Sequence, residues 1–126
     1  MLDLNKKRLL GDTVAEYLLT LPYDIDGDGE SLWRIVPAGH SFGFDGVDLA
    51  EFVRSSVLRL LDVGCAPVRH SDAGPMRWIE QKQFGTDKNE IADAIVAEWQ
   101  AAGAVKPPWE WLWFVTRRAL QTQPFV

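Results

Sequence analysis

Three carboxylates at alternate positions beside a turn glycine can converge on one hard cation, and Asp24-Ile-Asp-Gly-Asp-Gly29 has that spacing. The run matches the first, third and fifth ligand positions, and the glycine, of a helix–loop–helix calcium loop. The match stops there. Ile35 stands where the bidentate glutamate belongs, Ser31 takes the apolar eighth position, and the following residues read as a strand rather than an exiting helix. Asp24, Asp26 and Asp28 therefore form an alternative cation set. Otherwise they are an exposed acidic loop without a specific ion.

Other reactive side chains are sparse. His40, Ser41 and Asp45 have the residue types of a nucleophilic triad, but no nucleophile elbow or oxyanion loop surrounds them. Cys65 and His70 could in principle pair as thiolate and base, although a lone cysteine after an apolar helix reads as a small buried side chain. One cysteine and two histidines give no zinc spacing. Neither a phosphate loop nor a dinucleotide fingerprint is present. No catalytic residue and no cofactor are expected.

Charge points to a partner instead. Over residues 24–51, seven acids (Asp24, Asp26, Asp28, Glu30, Asp45, Asp48, Glu51) face the single base Arg34, a net −6 within a chain of net −5. Phosphate backbones are bound by clustered Lys and Arg, so this field argues against nucleic acid and favours a basic partner or a cation. The simpler account is that the acids keep a small domain soluble. Tryptophan is the second signal, with six in 126 residues. Trp33, Trp99 and Trp113 fall on faces expected inside, whereas Trp109, beside Pro107-Pro108 and Glu110, is the candidate exposed anchor. The expected partner-binding set is thus Asp24, Asp26, Asp28, Glu30, Asp45, Asp48 and Trp109.

These residues are positioned by one domain over residues 1–126. Its 47% hydrophobic and 25% charged composition is that of a folded globular chain. The single cysteine precludes an internal disulfide. No apolar run reaches the roughly 18 residues of a membrane span, and the start lacks the apolar stretch of a signal peptide. The cytoplasm is the expected location, with no membrane partner.

A capping box of Thr13 and Glu16 opens a helix ending at Pro22, with Leu10, Val14, Tyr17, Leu18 and Leu21 on one stripe. Gly11 leaves open whether residues 3–10 extend it. Ser31 to Val36 reads as a strand stopped by Pro37-Ala-Gly39. A second helix spans about Val47–Val63, before Gly64. Ala66–His70 and Met76–Gln83 read as a hairpin. Asp87 and Glu90 cap a third helix over Lys88–Ala102, and Trp109–Thr116 forms a last strand covered on both faces. The class is α+β, three main helices on a small, mostly antiparallel sheet, in the order α-β-α-β-β-α-β. The second helix plus hairpin also outlines a winged helix, but its bases (Arg54, Arg59, Arg69, Arg77, Lys82) are diluted by Glu51, Asp62, Asp72 and Glu80.

The succession Val57-Leu-Arg-Leu-Leu-Asp-Val-Gly64, Pro67-Val68, Ile91-Ala-Asp-Ala-Ile-Val-Ala-Glu-Trp99 and Trp111-Leu-Trp-Phe114 resembles small immunity proteins of bacterial polymorphic-toxin and contact-dependent inhibition systems. The resemblance covers roughly residues 47–116 and rests on apolar spacing and aromatic landmarks. It implies a protein without enzymatic activity that neutralises one cognate toxin domain, often a basic nuclease. An acidic surface would then speed association with the toxin and cover its substrate face. Two other readings stay open: a cation-binding or regulatory module built on Asp24–Asp28, and a winged-helix DNA-binding regulator.

Overall fold

In the computed structural model, which describes residues 2–9, 11–24, 29–71, 77–108 and 111–123 (the side chains of Tyr23 and Asp24 aside), Thr13 opens the first helix as its spacing predicts. The Thr13 hydroxyl accepts from the Glu16 amide at 3.1 Å, and the Glu16 carboxylate accepts from the Thr13 amide at 3.0 Å. Helix α1 (Val14–Thr20) passes into a 3-10 turn over Leu21–Asp24 that contains Pro22. Residues before Gly11 do not extend the helix. They fold back along its start, where the Val14 and Ala15 amides donate to the Lys6 and Leu4 carbonyls.

The expected strand over Ser31–Val36 is corrected to a helix. Strand β1 is only Glu30–Ser31, and α2 (Leu32–Ser41) follows with Pro37 inside it. Leu32, Ile35, Val36 and Gly39 are its buried residues, spaced i, i+3, i+4 and i+7. Burying that stripe against the next helix outweighs the β-branched composition and the hydrogen bond lost at Pro37. The absent side chain of Gly39 permits the approach. A Cβ there would lie 2.5 Å from Leu49 Cδ1 and 2.9 Å from Phe52 Cδ1.

Helix α3 (Gly46–Asp62) starts at Asp45, whose side chain accepts from the Gly46 amide, and ends before Gly64, which takes φ +90°. The hairpin forms as expected, with β2 (Cys65–His70) antiparallel to β3 (Trp78–Glu80). Helix α4 (Lys88–Ala101) is capped by Asp87, but Glu90 accepts from the Thr86 amide rather than closing a box with Asp87. Strand β4 is Trp113–Thr116, shorter than expected, and Thr116 caps a further short helix, α5 (Arg117–Thr122).

The fold is α+β, with four antiparallel strands in the order β1-β4-β2-β3. The expected order of elements holds, with α2 and α5 added. Residues of β2 and β4 alternate between two apolar clusters. Cys65 and Phe114 join the main core built with Phe42, Phe52, Leu60, Ile95 and Trp99. Val68, Trp113 and Val115 face the other way and pack with Trp78, Ala119 and Leu120. Among the described residues, no helix is long and apolar enough to cross a membrane.

Candidate interaction surface

The residues that could form nucleophilic sites are engaged elsewhere or face opposite sides of the sheet. The Ser41 hydroxyl donates to the Ala38 carbonyl and accepts from Arg8 at 3.4 Å, while Asp45 is the cap of α3. Cys65 points into the main core, where burial pushes its thiol up to about 11, so no thiolate forms near neutrality. His70, five residues along β2, falls on the opposite face. Its ring lies 4.1 Å from that of Trp78 and 6.5 Å from that of Trp113, and burial pushes its imidazole down. The described residues contain no group of three or more His, Cys, Asp or Glu placed to hold a metal ion. Asp26, Asp28 and the Asp24 carboxylate, the alternative cation set, lie outside the described residues, as does Trp109.

The acidic field is smaller than its sequence suggests. Glu30 was expected on the partner-binding surface but is 3% exposed. Its backbone pairs with Phe114 across β1 and β4, and its carboxylate accepts from the Ser31 amide at 3.0 Å and lies 3.5 Å from Arg34 Nε. A carboxylate placed this way is occupied within the fold and offers no charge to a partner. Asp45 and Asp48 do stand in solvent at the start of α3. Because the helix repeats every 3.6 residues, Val47, Asp48, Glu51, Arg54 and Ser55 share its outer stripe.

That stripe borders a groove of about 690 Å³, lined by Leu2, Leu4, Glu51, Arg54 and Ser55. Val47 is 75% exposed between Asp45 and Asp48, and Leu4, in the lining of the groove, is 48% exposed. Arg54 is held by Asp93 at 2.7 Å. The result is an apolar strip with carboxylates along its side. Leu2, Leu4 and Val47 were missed from sequence, and Glu51 was counted in the acidic field but not in the expected partner-binding set. Val47 carries a local signal, an apolar residue on the polar stripe of an amphipathic helix. The two leucines reach α3 only through tertiary folding.

The tryptophans divide. Trp99 is 2% and Trp113 4% exposed, as expected of core residues, and the Trp99 indole donates to the Val105 carbonyl. Trp33 is only half-buried, with Lys106 Nζ 4.8 Å from its ring centre. The bases of α3 and of the hairpin are partly engaged at home. Arg59 donates to the Leu18 and Leu19 carbonyls, and Arg69 to the Trp111 carbonyl and Glu98. Comparison of the chain with protein-family models, with curated proteins and with solved structures finds no match.

Proposed function

We propose that this chain is a non-enzymatic, cytoplasmic binding protein of the immunity kind, which neutralises a basic toxin domain through the start of α3. The observation that carries the reading is Val47, an exposed aliphatic side chain flanked by the exposed Asp45 and Asp48, on the same outer stripe of α3 as Glu51, Arg54 and Ser55, which line the Leu2 and Leu4 groove. An apolar centre with a charged rim is the usual anatomy of a protein interface. Carboxylates on the rim steer a basic partner into encounter, and the apolar strip sets how long it stays. The resemblance over residues 47–116 supports the class of partner.

The test is a rescue assay followed by kinetics. The C-terminal domain encoded by the neighbouring upstream reading frame is induced in a bacterial host with and without this protein. Arrest relieved only by co-expression, with the two proteins co-purifying, supports immunity. With the complex in hand, Asp45→Asn and Asp48→Asn together are expected to slow association about fivefold at low salt and to flatten its salt dependence. Val47→Asp is expected to act on dissociation. Rescue with neither effect moves the interface away from α3, and toxicity without rescue removes the immunity reading.

A further inference from the structure

We propose that the side chain of Gln123 stands in for an added strand at the open edge of the sheet, and so keeps β3 from pairing with β3 of a second copy of this chain. The two edges of the sheet differ. At one, β1 has two residues, both buried, and runs straight into α2. At the other, among the described residues, no strand pairs with the outer side of β3. The Ser71 amide donates to the Arg77 carbonyl and the Gln81 amide to the Pro67 carbonyl, so Arg77, Ile79 and Gln81 turn their backbone groups toward β2. By alternation, Trp78 and Glu80 turn theirs outward.

Gln123 meets the outward groups of Trp78. Its Oε1 accepts from the Trp78 amide at 2.8 Å, and its Nε2 donates to the Trp78 carbonyl at 2.9 Å. A primary amide carries a donor and an acceptor at about the spacing a facing strand residue presents, so one side chain makes both ladder bonds. The helix that delivers it is lightly held. Helix α5 has six residues, none of them buried. It is anchored by the Thr116 cap, an Arg117–Glu80 pair at 3.1 Å, and Ala119 and Leu120 against the outer cluster. So short a helix has little stability of its own, and it can open without unfolding the core.

The edge behind this latch is self-complementary. A two-fold axis at Ile79 sets Trp78 of one copy opposite Glu80 of the other, where each pair exchanges both backbone hydrogen bonds. Ile79, 41% exposed, then meets its counterpart as a non-hydrogen-bonded pair. An unprotected edge of this kind is a template for another strand, and proteins guard such edges. Gln123 is the guard. This device is independent of the α3 groove, so either can fail without the other.

The experiment uses the full chain. In the paired edge the two Ile79 Cα atoms lie about 4.5 Å apart, within the span of a disulfide. Ile79→Cys combined with Gln123→Ala is expected to give a disulfide-linked dimer as the main oxidised species. Ile79→Cys alone is expected to give at least about tenfold less, with Gln83→Cys, exposed and off the ladder, as the collision background. In dilute solution, Gln123→Ala alone should speed exchange of the Trp78 amide about tenfold and leave that of Ile79 unchanged. Gln123→Glu keeps the acceptor for the Trp78 amide and loses only the donor to the Trp78 carbonyl, so with Ile79→Cys it should raise cross-linking less than Gln123→Ala does. Equal cross-linking with and without Gln123, cross-linking no greater than background in the double variants, or an unchanged Trp78 amide would overturn the proposal.

Discussion

The two faces of the sheet are held by different means. The helix-side face carries Cys65 and Phe114 into a continuous core with α2, α3 and α4, where Phe42, Phe52, Leu60 and Trp99 are at most 2% exposed. The outer face has a smaller cluster of Val68, Trp113 and Val115, and its cover includes a six-residue helix with no buried residue. Apolar burial contributes roughly 25 cal/mol per Å² removed from water, so the first face supplies most of the stability. The second depends more on specific polar contacts, such as the Thr116 cap, the Arg117–Glu80 pair and the Gln123 amide on Trp78. A fold divided this way can open one face while the other remains intact.

The difference breaks most sharply at Phe114, which is fully buried on the helix side. Phe114→Ala is expected to cost about 3–5 kcal/mol, through lost transfer energy plus the cavity it leaves. Urea unfolding followed by tryptophan fluorescence would measure it, and a loss below about 1 kcal/mol would mean that this face is not the main support. Gly39→Ala comes next. Its added methyl meets Leu49 and Phe52 inside van der Waals distance, so overpacking of about 1–3 kcal/mol is expected, all of it on the helix side. On the outer face, Leu120→Ala removes a half-buried side chain, and about 1 kcal/mol or less is expected. A Leu120 loss matching that of Phe114 would erase the distinction between the faces.

The same contrast explains what could be read from the residues alone. Thr13 with Glu16 and Asp87 before α4 are local devices, in which a side chain satisfies backbone groups a few residues away, and Gly64 after α3 is a local stop at positive φ. Their positions in sequence and in the fold agree. Helix α2 was misread because Ile35 and Val36 favour strands and Pro37-Ala-Gly39 resembles a stop. The i, i+7 partner of Leu32 is Gly39, which a count of apolar residues overlooks although its smallness is what lets α2 meet α3. Helix α5 offers too few apolar residues for a stripe to be seen, since Ala119 and Leu120 are its only contribution to the outer cluster. At the candidate surface, Asp45 and Asp48 were legible as exposed charge. Glu30 was not, because sequence records a charge but not its burial. Nor was the groove, because the nearness of Leu2 and Leu4 to α3 is a product of long-range folding.

The smallest expected effect separates the two faces by pH. His70 lies on the outer face between Trp78 and Trp113, and burial holds its imidazole below the ordinary value of 6.5. The unfolded chain therefore takes up the proton first as pH falls. Above 6.5 both states are neutral at this site and its contribution to stability is complete. Between 6.5 and the lower folded value the unfolded state binds more protons, so stability declines, and below the folded value the decline stops. The shifted groups on the helix side titrate outside this window. The Cys65 thiol stays protonated throughout, and Asp12, held below the usual carboxylate range by the Arg8 guanidinium, titrates only at more acid pH. Urea midpoints taken from pH 8 to pH 5 should fall in the native chain and fall less in His70→Gln. If the acid-side loss belongs to the outer face, the exchange of amides in β3 and α5 should rise with it while that of α3 and α4 does not. A slope unchanged by His70→Gln, or shared equally by α3 and α4, would place the acid sensitivity in the main core and join the two faces into one cooperative unit.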